Sequence, residues 1–500
     1  MIFTNASRKP VFALALLSLA AMNATVWADS DGDFGMQTEH RLSKDADKLF
    51  GIEAPIVDSA APTTGPYRTL RQRAADQVIV AEGLKVEYLT RNAADNTDMM
   101  VFWPNDKQPT HLITAIEVFE PRVIGKNPDN SDKWTPSVQR IRLSDGKVEV
   151  IVRGLAGADG IRRTAWGTIV VAEEVSDGGL YEIFDPIETT EQTVLNRATG
   201  ISTDPAHIVK RTALPTMAWE GIGLLPSGVL IAGDELRPGS GTPDTDGGAL
   251  FKFVPSAMYT GNGKIDRPSQ SPLAAGSVYA LQVSCRNDRQ QFGQGCEIGA
   301  GAWLPINAAT ARANADAAGA TGFYRPEDLE IDPHFIDASQ PDAVRFCWTN
   351  TGNEGAQHYG EVLCGIDRAP MSADAQQRSV AINRFVEGDA DFNQPDNIAF
   401  QPSSRNVFVI EDHPNGDIFA CLPDGGDRDI KSDGCVKILS VKDSSAEPTG
   451  FFFAPDGKTA YLSIMHSDDT NMPRHNDFGT DDILKITGFE EPKQQKQKHD

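Results

Sequence analysis

Short apolar runs separated by Pro, Gly, Asn and Asp turns recur along the chain, each flanked by acids or amides. Four stretches share one pattern. The run GIGLLPSGVLIAG lies between Trp219-Glu220 and Asp234-Glu235, and IAFQPSSRNVFVI lies between Pro395-Asp396-Asn397 and Glu411-Asp412. Pro326-Glu327-Asp328 leads through LEIDP to the run FCWT that ends at Asn350, and PTGFFFAPDGKTAYLS separates Glu447 from Ile464. Each reads as two strands joined by a tight turn. An antiparallel pair returns the residue after its second strand to the edge where its first strand began, so each hairpin is predicted to carry its acids on one rim.

Further β-rich runs begin at Trp166, Leu250, Val278 and Val407, with turn signals at Ser144, Pro226, Pro414 and Pro455. Many short strands at regular spacing predict an all-β fold, and hairpin units repeated every few tens of residues predict a β-propeller over residues 77–490. One Ala-rich stretch from Asn307 to Thr321 lacks apolar alternation and is expected to be a helical or loop insertion between blades. Residues 29–76 read as an extended N-terminal arm, and residues 491–500 as a disordered tail.

Arg8 and Lys9 precede an apolar run from Val11 to Met22 and a small-residue end at Ala28, which predicts a secretory signal over residues 1–28. The protein is therefore expected to be exported, to a periplasmic or extracellular location, with no membrane span. Removing the signal takes two positive charges and no negative ones, so the formal net charge moves from −24 to −26. Nonspecific nucleic-acid binding needs Lys and Arg stripes and is disfavoured. An acidic balance suits cation binding, and it also serves solubility. Six cysteines, with no CxxC, lie in the second half of the chain, where sequential bridges Cys285–Cys296, Cys347–Cys364 and Cys421–Cys435 would close short loops. A monomer is expected.

No GxSxG elbow, HExxH or P-loop occurs, and the nine histidines have no ligand spacing. Asp58-Ser59 imitates a phosphatase nucleophile segment but sits in the polar arm. Hairpin geometry instead gathers carboxylates: Glu173 and Glu174, Glu220, Asp234 and Glu235, Glu327 and Asp328, Asp396 with Asn397, and Glu411 and Asp412. In a closed propeller these ends converge near the axis, where bound cations would relieve their repulsion. Acids also cap strands and turns without further function. Arg325, beside Glu327, could grip a phosphate oxygen or pair with a neighbouring carboxylate.

The segments at Arg325-Pro326-Glu327-Asp328, Phe392 to Asp412, Glu447 to Ser463, and Ala165-Trp166-Gly167-Thr168 through Glu174 together resemble the PhoX-type alkaline phosphatases, as do Asn96-Thr97-Asp98 and Ala115-Ile116-Glu117. The resemblance implies a six-bladed propeller, secretion, and a cluster of Ca2+ and Fe3+ ions that hydrolyses small phosphomonoesters. It implies metal ligation by Glu173 or Glu174, Glu220 and Glu327, and phosphate orientation by Arg325. Asp396, Asn397, Glu411 and Asp412 would share the metal-bearing face. The chain departs from the family where metal-binding cysteines are expected, having Ala158-Asp159 and Ala172 there. Asp159 is the candidate replacement, and exchanging a soft thiolate for a hard carboxylate favours calcium or a different iron environment. Two alternatives use the same acids: a calcium-dependent lactonase-like hydrolase with one ion, and a calcium-stabilised binding propeller without catalysis.

Overall fold

The computed structural model describes residues 40–65, 67–238, 247–261, 263–283, 298–372, 374–423 and 434–491. The predicted secretory signal, the pair Cys285–Cys296 and the C-terminal tail from residue 492 lie outside them.

The strands assemble into mainly antiparallel sheets that follow the chain, with one parallel pair at the edge of the first. The first runs outward through Thr97–Trp103, His111–Ile116, Pro136–Arg142 and Val148–Arg153, with two short strands added at its edge. The second contains Ala158–Arg163, Thr168–Glu173, Leu180–Phe184 and Ile208–Lys210. The third runs from Trp219–Leu224 to Gly276–Gln282, and the fourth from Pro326–Ile331 to Ser379–Glu387. Gly299–Ile306 pairs with the outer strands of both and fuses them into one nine-stranded sheet. The fifth runs from Pro395–Phe400 to Cys435–Val441, and the sixth contains Glu447–Phe453, Thr459–Met465 and Thr480–Thr487. Lys85–Ala94, from the other end of the chain, pairs with Thr480–Thr487 and completes the sixth sheet. The first strand of each sheet contacts the first strand of the next, and the sixth returns to the first. The fold is a closed β-propeller, which leaves few free strand edges.

Alternation along each strand explains the closure. In Thr168–Glu173, Ile169 and Val171 pack toward the first sheet with Ile113, Val138 and Ile151, whereas Val170 and Ala172 pack toward the third with Ile222, Leu230 and Phe251. Successive side chains point to opposite faces, so a strand buried on both sides reads as a continuous apolar run. The same division recurs around the ring: Ile231 meets Trp348, Val386 meets Ile398, Phe408 meets Phe451, and Phe102 meets Tyr461.

The Ala-rich insertion forms the helix Ala311–Ala318, which ends at Gly319 in the left-handed conformation (φ 78°). Its Ala311 and Ala315 join the core between the second and third sheets. Leu42, Ala46, Phe50 and Ile52 of the arm are buried with the fifth and sixth sheets. Arg68 is fully buried and pairs with Asp482 at 2.8 Å. Ser59 donates to Asp417 at 2.6 Å and contacts Lys437, which ties the arm to the fifth sheet. Cys347–Cys364 and Cys421–Cys435 form disulfides between directly opposed residues of neighbouring strands, as their spacing predicted. No helix among the described residues is long and apolar enough to cross a membrane.

Candidate metal centre on the propeller axis

Every innermost strand slips register against its partner near its start. The last paired residues before the slip are Thr97, Ala158, Trp219, Pro326, Pro395 and Thr449. The next residues are Asp98, Asp159, Glu220, Glu327, Asp396 and Gly450. A bulge leaves its residue out of the ladder and re-aims the side chain, and here it does so at the same point in all six sheets. The result is convergence: single carboxylate oxygens of Glu220, Glu327 and Asp396, from three sheets, lie within 4.8 Å of one another. So do those of Asp159, Glu174 and Glu220.

Gly450 occupies the sixth position for a steric reason. Its φ is +61°, and a Cβ there would stand 2.6 Å from the Asp98 carbonyl oxygen. No side chain fits between the sixth and first sheets at this point.

A second set of groups follows the second strands. Glu117, Glu174, Glu235, Thr351 and Asp412 come immediately after Ile116, Glu173, Asp234, Asn350 and Glu411, which pair with the innermost strands. Thr351 Oγ1 donates to Glu327 Oε1 at 2.9 Å. Arg325 stands among these acids. Its Nε meets Glu235 at 2.6 Å, and its Nη2 meets Glu327 at 2.8 Å and Asp412 at 2.9 Å. Nη1 makes no hydrogen bond or ion pair among the described residues. Arg325 has φ +57° and precedes Pro326. That conformation is costly for a long side chain before proline, and it persists because three carboxylates hold the guanidinium.

The electrostatics follow from burial. Asp98, Glu174, Glu220, Glu327 and Asp396 are all pushed well above the usual carboxylate range, first by desolvation and then by neighbouring acids. Arg325 partly offsets the effect at Glu327. Burial raises Glu117 to about 8, although a hydrogen bond with Glu174 opposes the shift. Burial likewise raises Asp159 to about 6 against a hydrogen bond with Glu220. Asp412 rises to about 6 through burial, which Arg325 opposes. Burial also works against charge on Arg325, yet Glu327, Asp412 and Glu235 outweigh it and hold the group above its usual range.

The acids named from the sequence separate into two sets. Asp159, Glu174, Glu220, Glu327 and Asp396 meet at the axis, and Glu235 and Asp412 reach it through Arg325. Glu173, Asp234 and Glu411 act as latches instead. Each accepts a backbone N–H from the segment leading into the innermost strand, from Ala156 at 3.0 Å, Ala218 at 2.9 Å and Asn393 at 2.8 Å. Arg197 completes the set on Glu173, Arg312 on Asp234, and the Asp417 N–H on Glu411. Asp328 bonds Arg162 and the N–H groups of Leu329 and Ile398. Asn397 accepts from Thr449 at 2.9 Å and from the Gly450 N–H at 2.6 Å, joining the fifth and sixth sheets.

Two further acids belong to the face, Asp98 and Glu117 of the first sheet. Their hairpin carries the same grammar in Thr97-Asp98 and Ile116-Glu117, which was the available signal. Ala172, at one position where the resemblance implies a cysteine, points into the core between the second and third sheets.

The donor set fits hard cations. It consists of carboxylate oxygens, and Asp159 Oδ1 and Glu220 Oε2 are buried without a hydrogen-bond partner among the described residues. Six to eight such oxygens suit calcium, whereas a soft metal would prefer sulfur or imidazole.

The solved structure of Pseudomonas fluorescens PhoX in complex with vanadate, a transition state analogue, matches with a TM-score of 0.56 at 16% identity, covering 87% of this chain and 98% of that one. The PQQ-bound aldose sugar dehydrogenase of Streptomyces coelicolor matches with a TM-score of 0.41 at 12% identity, covering 81% and 98%. No curated protein sequence matches the chain. Residues 240–468 match the family alkaline phosphatase PhoX, a segment that contains Arg325, Glu327, Asp396, Asp412 and Gly450. By that match over less than half of its length, and by the fold it shares with the Pseudomonas protein, the chain is similar to the PhoX-type family.

Proposed function

We propose that this protein is an exported, metal-dependent phosphatase that hydrolyses phosphomonoesters at the carboxylate ring. The observation that carries the reading is Arg325, a guanidinium set among acids with Nη1 uncommitted. Asp159, Glu174, Glu220, Glu327 and Asp396 would hold the cations, with calcium suited to the all-oxygen set and iron a second candidate. Bound there, such cations supply positive charge that neutralises phosphate oxygens and makes a water nucleophile more acidic.

The chain's own groups do the positioning. The Nη1 donors of Arg325 address a phosphate oxygen while Glu235, Glu327 and Asp412 keep the planar fork from swinging away. Thr351 fixes the Glu327 carboxylate in turn. Two disulfides support a destination in an oxidising compartment, periplasmic or extracellular.

Elemental analysis of the purified protein, paired with p-nitrophenyl phosphate turnover with calcium and with chelator, tests the proposal. More than one ion per chain and chelator-sensitive turnover are expected. A single ion with lactone hydrolysis would favour the lactonase reading, and bound metal without turnover of any phosphoester would overturn the phosphatase.

A further inference from the structure

A propeller encloses a channel along its axis, and the carboxylate ring divides this one into two ends. On the innermost strand of the fourth sheet, Arg325 comes two residues before Glu327 and Glu330 three residues after it. They mark opposite ends. Arg162 of the second sheet likewise comes three residues after Asp159, about 10 Å along the strand at the usual rise. Glu330 is 34% exposed, so the channel meets solvent at this rear end as well as at the Arg325 face.

Arg162 lies across the rear end. Its Nη2 meets Asp328 at 3.0 Å, the Leu329 carbonyl at 3.1 Å and Glu330 at 2.9 Å, all on the fourth sheet. Its Nη1 donates to the Ile161 carbonyl at 2.9 Å and reaches the Met99 sulfur of the first sheet at 3.8 Å. Asp328 carries the link onward, because its second oxygen accepts the Ile398 N–H of the fifth sheet at 3.1 Å. The third sheet, which lies between, makes room. A Cβ at Gly221 would stand 2.4 Å from Asp328 Oδ1, and one at Gly223 would stand 2.4 Å from the Leu329 side chain. Glycine at both points lets the fourth sheet close in and brings its acids within reach of the guanidinium. Burial works against charge on Arg162, but Glu330 and Asp328 outweigh it and hold the group above its usual range.

We propose that Arg162 is a plug in the axial channel, closing the carboxylate ring from the rear so that cations enter and leave by the Arg325 face alone. The inference rests on the cation-binding part of the reading above. It concerns the path and leaves the ligands as they are. A guanidinium suits the task because it stays charged at any working pH and its planar fork fixes its direction. Its charge also repels a cation moving rearward.

The test loads the full chain with radioactive calcium and follows release into excess unlabelled calcium. Arg162→Met keeps much of the side-chain volume but not the fork. Its release is expected to be about tenfold faster, the scale of losing one hydrogen bond to a charged group, with the number of bound ions unchanged. Electrostatics alone predicts the opposite, since removing a positive charge near the ring tightens cation binding. A cationic thiosulfonate label on Glu330→Cys, at the rear mouth, should slow release again in the Arg162→Met background, which a merely loosened ring would not show. If Arg162→Met does not fold, Arg162→Lys makes the same comparison, because an ammonium cannot span Asp328, Glu330 and Met99 together. Release unchanged or slowed by the substitution, or fast release that the label leaves unmoved, would overturn the plug. A chain that holds no calcium overturns the plug and the metal-dependent reading together. Release that behaves as expected without turnover of any phosphoester supports the plug and removes the phosphatase alone.

Discussion

At the residue scale, adjacent acids in this chain have unlike tasks. Glu173 and Glu174 are neighbours, yet Glu173 is fully buried against Arg197 and two backbone N–H groups, whereas Glu174 faces Asp159 and Glu220. Glu173→Gln is expected to cost about 2 kcal/mol in urea unfolding, because hydrogen bonds to a charged group are lost and Arg197 keeps only its exposed partner Asp177. Glu220→Gln should do the reverse in metal-free protein. It removes one of several crowded carboxylates and raises the urea midpoint, while elemental analysis shows fewer bound ions. Arg325→Lys retains the charge but loses the fork, so kcat/KM for p-nitrophenyl phosphate should fall by about a hundredfold with metal content preserved. Loss of metal in that variant would assign Arg325 to the structure of the ring.

At the scale of elements, the bulge was the part the sequence concealed. Hairpin periodicity placed acids on one rim, but a strand has period two, and an unseen extra residue exchanges which of two neighbours faces the axis. That is why Glu327 and Asp328, or Asp396 and Asn397, could be grouped but not told apart from their order alone. The hairpins themselves were legible because short apolar runs end in clear turns. The helix Ala311–Ala318 was legible only as an insertion, since its apolar face is two alanines. The arm was harder to read: its few apolar residues, Leu42, Phe50 and Ile52, gain their meaning from the fifth and sixth sheets. The bulge also sets a prediction. Gly450→Ala places a methyl against the Asp98 carbonyl in a left-handed conformation, so it should lower the thermal midpoint, with a cost of about 1–3 kcal/mol.

At the scale of the molecule, the ring works against the fold when it has no counter-charge. Burial raises Glu117 to about 8 and Asp159 to about 6, so between about pH 4 and pH 8 the native state retains protons that the unfolded chain has released. Stability then falls as pH rises. His413 and His466 act in the same direction. Burial opposes their charge, but Glu411 and Glu447 raise each to about 9, and what these pairs contribute is present below about 6.5 and lost through 9. Chelator-treated protein should therefore melt at a lower temperature at pH 8 than at pH 5, and added calcium should flatten that difference by replacing protons with bound cations. A flat or rising profile in chelator would contradict this account.

The strand Lys85–Ala94 gives the ring a temporal order. It pairs with Thr480–Thr487, a partner about four hundred residues away along the chain. Until that late segment has left the ribosome, the sixth sheet lacks its third strand and the circle stays open. The acids of different sheets are then separate and hydrated, and their mutual repulsion is not yet incurred. Assembly of the charged centre is thus deferred to the last contact made, one of long sequence separation and correspondingly slow formation. On the export proposed above, the chain would cross the membrane unfolded before this step and meet at its destination the cations proposed for its closed form.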